Sequence, residues 1–189
     1  MNRQELLALL EDYPVIPAIK TESALQRCVE SDNPLVFILH SNLSTVGPMT
    51  DFLKRHGKTV FVHMDLLEGL AQKEIAVDFL AGTTGADGII STRPNLLRHA
   101  SSLGLLTVQR FFLLDSISLQ NVLKAGSQET ADLIEVLPGV MPKLIKKLTA
   151  TLGTPLVAGG LISDKEDAIS ALSAGAAAIS TTNEDIWFL

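Results

Sequence analysis

A regular rhythm restricts the fold of this chain more than any other feature. Eight short apolar runs recur at roughly 20–25-residue intervals, each followed by a stretch with helical periodicity. The runs are Val15–Lys20, Leu35–His40, Thr59–Asp65, Ala86–Thr92, a strand within Leu105–Leu114, Asp132–Leu137, Pro155–Ile162 and Gly175–Asn183. Between them the spacing predicts helices over Glu22–Glu30, Val46–His56 (with Gly57 as C-cap), Gln72–Leu80, from Pro94 onward, Ser116–Ala125 and Met141–Thr149. A last helix after Ser163–Asp167 is expected to turn Ala168, Ile169, Ala171 and Leu172 inward.

Runs apolar at nearly every position are buried on both faces, which points to a parallel sheet covered by helices. A doubly wound open sheet satisfies that pattern, but eight strands suit closure better. The expected fold is a compact (β/α)8 TIM-type barrel, a single domain over residues 1–189. Few residues follow Thr182, so the eighth helix is truncated. Residues 2–10, a short helix carrying Leu6, Leu7, Leu9 and Leu10, or a second subunit in a homodimer, are expected to cover that gap.

Composition excludes several classes. With 47% hydrophobic residues and a mean hydropathy of +0.30, the chain is not a disordered one. Aromatics make up only 5%, so aliphatic side chains must fill the core. A net charge of −6 disfavours indiscriminate nucleic-acid binding while leaving room for a local basic patch. The single cysteine, Cys28, allows neither an intrachain disulfide nor a thiolate metal cage. No apolar run approaches the roughly 20 residues of a membrane helix, and the acidic Glu11-Asp12 does not suit a signal peptide. A cytoplasmic protein is expected.

The last two runs differ from the others in how they end. Gly159-Gly160 closes one and Ser180-Thr181-Thr182 the other. Small residues let backbone amides approach an anion, and the loops after the seventh and eighth barrel strands commonly form a phosphate cup. Either segment alone reads as a tight turn; the pair in order reads as the cup. Charged residues inside buried strands also need a reason. Lys20, Asp65, Arg110 and Glu135 stand near the C-terminal ends of four runs, accompanied by His40, His63, Ser91 and Gln109. Lys20 and Arg110 offer positive charge to an anion. Asp65 and Glu135 either accept hydrogen bonds from ligand hydroxyls or neutralise the cations in an internal ion pair. The combination suits a small phosphorylated polyol. No metal-ligand spacing, P-loop or Ser-His-Asp order is present, and neither a Schiff-base role for Lys20 nor a base role for Glu135 or Asp65 has a confirming partner.

Six strings carry a more specific resemblance: Pro14-Val-Ile-Pro-Ala-Ile-Lys20, Val62-His-Met-Asp-Leu-Leu-Glu-Gly69, Gly88-Ile-Ile-Ser-Thr-Arg93, Val108-Gln-Arg-Phe-Phe-Leu-Leu-Asp115, Ile134-Glu-Val-Leu-Pro-Gly139 and Ala158-Gly-Gly-Leu-Ile162. Together they resemble the glycerol-uptake operon antiterminator regulatory proteins, over nearly the whole chain. The resemblance implies a barrel that no longer works as an enzyme. It implies an effector, glycerol 3-phosphate, with no cofactor, and a leader messenger RNA as partner, bound so that transcription passes a terminator. A small sugar-phosphate aldolase, isomerase or lyase on the same scaffold is the alternative. In the family a basic residue often follows the Gly-Gly-x-Ile turn, whereas Ser163-Asp164 stands here, leaving phosphate neutralisation to Lys20, Arg93 or Arg110.

Candidate RNA-binding positions are the local basic clusters: Lys143 with Lys146 and Lys147, Arg93 with Arg98 and His99, and Lys54-Arg55-His56 with Lys58. Each doubles as an ordinary solvated helix face. Two such patches aligned in a dimer would suit RNA.

Overall fold

A computed structural model describes residues 1–189. Ten strands run in chain order: β1 (Val15–Ile19), β2 (Leu35–Ile38), β3 (Ser41–Asn42), β4 (Thr59–His63), β5 (Leu67–Glu68), β6 (Gly88–Ser91), β7 (Leu106–Phe112), β8 (Leu133–Leu137), β9 (Leu156–Gly159) and β10 (Ala178–Thr181). Eight α-helices accompany them: α1 (Arg3–Asp12), α2 (Glu22–Cys28), α3 (Val46–Arg55), α4 (Glu74–Thr83), α5 (Pro94–Ser102), α6 (Ser116–Ser127), α7 (Pro142–Thr149) and α8 (Lys165–Ser173). Eight strands close a parallel barrel in the order β1-β10-β9-β8-β7-β6-β4-β2. The eight-run rhythm therefore reads out as a TIM-type barrel. The short β3 and β5 pair with each other instead, after β2 and β4, outside the eight runs of the sequence pattern.

Parallel strands alternate their side chains, and burial divides accordingly. Outward positions such as Val36, Val60, Ile89, Ile134 and Ile179 join the helices in a core of 35 buried residues. Inward positions such as Ile16, Phe37, Phe61, Ile90, Val108, Leu133, Val157 and Ala178 form a separate lumen cluster. Phe61 fits there because Gly88 has no side chain; a Cβ at that position would lie 2.5 Å from the ring.

Leu6 and Leu10 of α1 belong to that lumen cluster. The N-terminal helix thus closes the floor of the barrel, starting from a capping box between Asn2 and Glu5. It does not cover the gap left by the truncated eighth helix, as anticipated from sequence. That task falls to a 3-10 segment, Glu184–Phe188, whose Ile186 and Trp187 sink into the outer core. Trp187 Nε1 donates to the Thr181 carbonyl at 2.9 Å, and Asn33 Nδ2 donates to the Trp187 carbonyl at 2.6 Å. Lys58 is also not a surface cation. It is buried, its ammonium donates to the carbonyls of Ser31 (2.6 Å) and Asn33 (2.8 Å), and burial lowers its pKa. Ile169 is 52% exposed rather than inward, while Ala168 and Ala171 are buried on that face of α8 and Leu172 packs half-buried against the core.

The floor offers a test. Leu6→Ala should cost about 2–5 kcal/mol, lowering the melting temperature by roughly 5–15 °C for a chain of this size. Thermal unfolding monitored by circular dichroism checks it; an unchanged midpoint would show that α1 does not close the lumen.

Candidate functional site

On β2 the inward series Leu35, Phe37 and Leu39 stays apolar to the mouth; on six other barrel strands it changes character there. It ends in Lys20 after β1, His63 on β4, Arg110 on β7, Glu135 on β8, Gly159 on β9 and Ser180 on β10. Parallel register sets Arg110 directly opposite Glu135 and Gly159 directly opposite Ser180. Glu135 is fully buried; its Oε2 accepts from Arg110 Nε at 2.6 Å and its Oε1 from Ser180 Oγ at 2.5 Å. Ser180 lies two strands away, so the bond crosses β9 at Gly159. A Cβ on Gly159 would stand 2.5 Å from Ser180 Oγ and 2.7 Å from Glu135 Oε1. Glycine here makes room for the carboxylate.

Above this network opens a cavity of about 580 Å³. Lys20, Arg110, Glu135, Gly160, Ser180, Thr181 and Thr182 all line it, joined by Leu161 to Ser163 and Asn183. The two terminal segments converge: the Thr181 hydroxyl donates to the Ile162 carbonyl at 2.9 Å, and Asn183 Nδ2 to the Ser163 carbonyl at 2.6 Å. Gly160 and Leu161 both adopt positive φ, 74° and 60°. That turn leaves the amides of Gly160 and Leu161 without a hydrogen-bond partner in the protein, as is the amide of Thr182. Leucine is rarely held in the left-handed region, and such strain collects at functional sites. Arg110 uses only its Nε on Glu135, so its terminal guanidinium nitrogens are free for a ligand. Lys20 is exposed at the rim and engages in no ion pair.

Not every candidate gathers here. Asp65 sits in the turn Met64–Leu66, where β4 has already ended, and does not line the cavity. Its carboxylate accepts from Ser91 Oγ (3.0 Å) and the Thr92 amide (2.7 Å), with Arg93 Nε 3.6 Å away. Of its two readings, local neutralisation fits this placement. Ser91 and Gln109 occupy outward positions; Gln109 Oε1 accepts from Thr130 at 2.5 Å in the helix layer. His40 is exposed, 3.8 Å from Glu68. Sequence reasoning passed over Leu161, Ile162, Ser163 and Asn183 as lining residues. The run of small and polar residues around them was visible, but which would face the cavity depends on the turn. Ser163 gives both its amide and its hydroxyl to Asp167 Oδ2, at 3.0 and 2.8 Å. Those bonds lower the Asp167 pKa.

His63 is 4% exposed and its Nδ1 has no hydrogen-bond partner. Burial first, and then the positive charge of Arg110, push its pKa down to about 4, with Asp65 opposing. The imidazole is therefore neutral near pH 7, and it adds no third cation to the lumen. Nowhere do three or more His, Cys, Asp or Glu side chains converge on a geometry that could hold a metal ion.

Comparison with known proteins follows the same outline. The family model of the glycerol-3-phosphate responsive antiterminators matches residues 15–187. This chain belongs to that family. A protein from Escherichia coli (strain K12), YgcP, is 43% identical over 184 residues, covering 97% of this chain and 96% of its own. The glycerol uptake operon antiterminator regulatory protein from Listeria monocytogenes is 32% identical, with a TM-score of 0.87 over 92% of this chain and 94% of that one. A glycerol uptake operon antiterminator-related protein from Thermotoga maritima is 33% identical, with a TM-score of 0.80 over 92% and 96%. The antiterminator family thus shares both sequence and barrel with this chain. No helix is long and apolar enough to cross a membrane.

Two outcomes are expected at the site. Glu135→Ala leaves the Arg110 guanidinium buried and unpaired, and should destabilise the protein by roughly 3–5 kcal/mol; denaturant titration measures it, and a loss below about 1 kcal/mol would contradict the network. His63 sets a pH dependence. Its folded pKa of about 4 lies below the ordinary 6.5, so the unfolded chain binds the proton more readily. Its contribution is complete above 6.5 and declines as pH falls toward 4. Over that window, stability of His63→Gln should fall less steeply than that of the native chain.

Proposed function

We propose that this protein senses glycerol 3-phosphate at the barrel mouth and, when loaded, binds a leader messenger RNA of a glycerol-utilisation operon so that transcription passes a terminator. In this reading the phosphoryl group sits against the amides of Gly160, Leu161 and Thr182 and the hydroxyl of Thr182, while the Thr181 hydroxyl stays bonded to the Ile162 carbonyl. Lys20 and the terminal nitrogens of Arg110 balance its charge, since a guanidinium suits phosphate oxygens. Ser180 and Glu135 face the polyol, where a carboxylate oxygen can accept from a hydroxyl.

The observation that carries the reading is the meeting of unpaired amides and two cations in a single cavity of about 580 Å³. The family membership adds the regulatory role. We assign the chain no enzymatic step. Lys20 stands exposed at the rim rather than enclosed in an apolar pocket, which gives a Schiff-base mechanism no foothold.

For RNA we retain the α7 face. Lys143, Lys146 and Lys147 are exposed there, without an acidic residue on the helix or an ion pair. Arg93 and Arg98 lie at α5, on the far side of α6, so the two groups form separate patches. Arg93 is partly held by Asp65.

Thermal melting tests the effector. At a hundredfold excess over Kd, glycerol 3-phosphate should stabilise by about 2.7 kcal/mol, raising the midpoint by roughly 5–10 °C, whereas glycerol and inorganic phosphate at equal concentration should do much less. No preference for the phosphorylated polyol would defeat the proposal. Charge reversal at Lys143, Lys146 and Lys147 should weaken binding of leader RNA and flatten its salt dependence.

A further inference from the structure

A second cavity, of about 440 Å³, lies on the shoulder of the barrel between α2 and α3. Lys20 lines this cavity as well as the effector cavity. The groove carries Lys20, Arg55 and the His40 imidazole against one lining carboxylate, Glu22. Glu68 lies 3.8 Å from His40, and Asp51 lines the adjoining depression beside Arg55. On a chain with a net charge of −6, the two fixed cations of this lining outnumber its one carboxylate. Arg55 engages in no ion pair, and its charge is therefore available to a partner.

The floor of the groove is apolar. Met49 and Phe52 are half-buried against the core, and the Phe52 ring lies 4.5 Å, centroid to centroid, from that of His56. Positive charge beside a flat aromatic surface is the combination that holds an unpaired nucleotide, the phosphate on the cations and the base on the ring. The groove also continues. Pro48 and Arg55 line a further depression on the outer side of α3, with Lys54 and Asp51, although Lys54 is drawn to Asp87 at 2.7 Å. Lys20 borders the first two depressions and Pro48 and Arg55 border the second and third, so the three follow one another from the barrel mouth across α3. A linear polyanion fits a track; a compact metabolite does not need one.

We propose that the groove between α2 and α3 binds single-stranded RNA, seating one nucleotide over Phe52 with its phosphate on Arg55 and Lys20. This rests on the reading of the protein as an effector-loaded RNA-binding regulator, and adds a contact surface distinct from α7. Lys20 connects the two sites. Its ammonium has three donors and can bridge the effector's phosphoryl group and an RNA phosphate. Each ligand then orders the side chain for the other, and the coupling is reciprocal.

The test uses the full chain and an RNA enriched from a random-sequence pool on the native protein with saturating glycerol 3-phosphate. Binding is read by fluorescence anisotropy at about 0.1 M salt, with and without effector. Arg55→Glu should weaken RNA binding at least tenfold and Arg55→Lys by much less, while both keep the effector's melting shift. Lys20→Met should remove the difference between loaded and unloaded protein. Native-like RNA affinity in Arg55→Glu, within twofold, overturns the groove and leaves the regulator reading intact. Failure of the native protein to enrich any RNA overturns both. A free mononucleotide that competes as strongly as the enriched RNA overturns the assignment to RNA and makes the groove a nucleotide site.

Discussion

The mouth of this barrel is organised by one buried ion pair. Arg110 and Glu135 face each other across β7 and β8, almost wholly removed from solvent, and Ser180 completes the carboxylate's bonding from β10. A buried pair is not by itself a strong stabiliser, because desolvation offsets much of the attraction. Its consequence is orientation. Glu135 holds Arg110 by Nε alone and leaves the other guanidinium nitrogens toward the cavity. The same carboxylate excludes any side chain from position 159 and thereby ties Gly159 to the packing of the lumen.

That network is possible because the lumen changes character along its length. Leucines from α1 and aliphatic or aromatic side chains from the strands fill the lower part. Toward the mouth the same inward positions become Arg110, Glu135 and Ser180. The dry lower layers support the polar ones and keep water from reaching the pair from below. At the other end of β10, a short turn does the work of a whole helix: Trp187 and Ile186 cover the outer face, and the indole donates to Thr181. The strand that supplies part of the cavity wall is thus anchored from outside by the last residues of the chain.

Much of this was legible in the residues. The spacing of apolar runs specified the barrel, and the two small-residue endings specified which loops would meet, because sequential parallel strands place their ends side by side. Lys20, Arg110 and Glu135 were conspicuous as charges in apolar surroundings. Asp65, Ser91 and Gln109 were equally conspicuous and are placed elsewhere. Ser91 and Gln109 fall on the outward parity of their strands, and Asp65 lies beyond the point where β4 gives way to a 3-10 turn. A one-residue difference in where a strand ends reverses the direction of a side chain, and local composition does not locate that end. Lys58 misled for a related reason: a lysine among Lys54, Arg55 and His56 looks solvated, yet its ammonium reaches two carbonyls in the loop between α2 and β2.

The residues alone determined the class of fold, the number of barrel strands, the pairing of the last two loops and membership in a family. These follow from periodicity and local chemistry, which are written along one dimension. Only the tertiary structure decided that α1 is a floor rather than a flank, that Gly159 serves Glu135, that Lys20 belongs to two cavities, and that α5 and α7 carry separate basic patches. Each of those is a relation between segments far apart in the chain, set by barrel closure and by the exclusion of overlapping atoms.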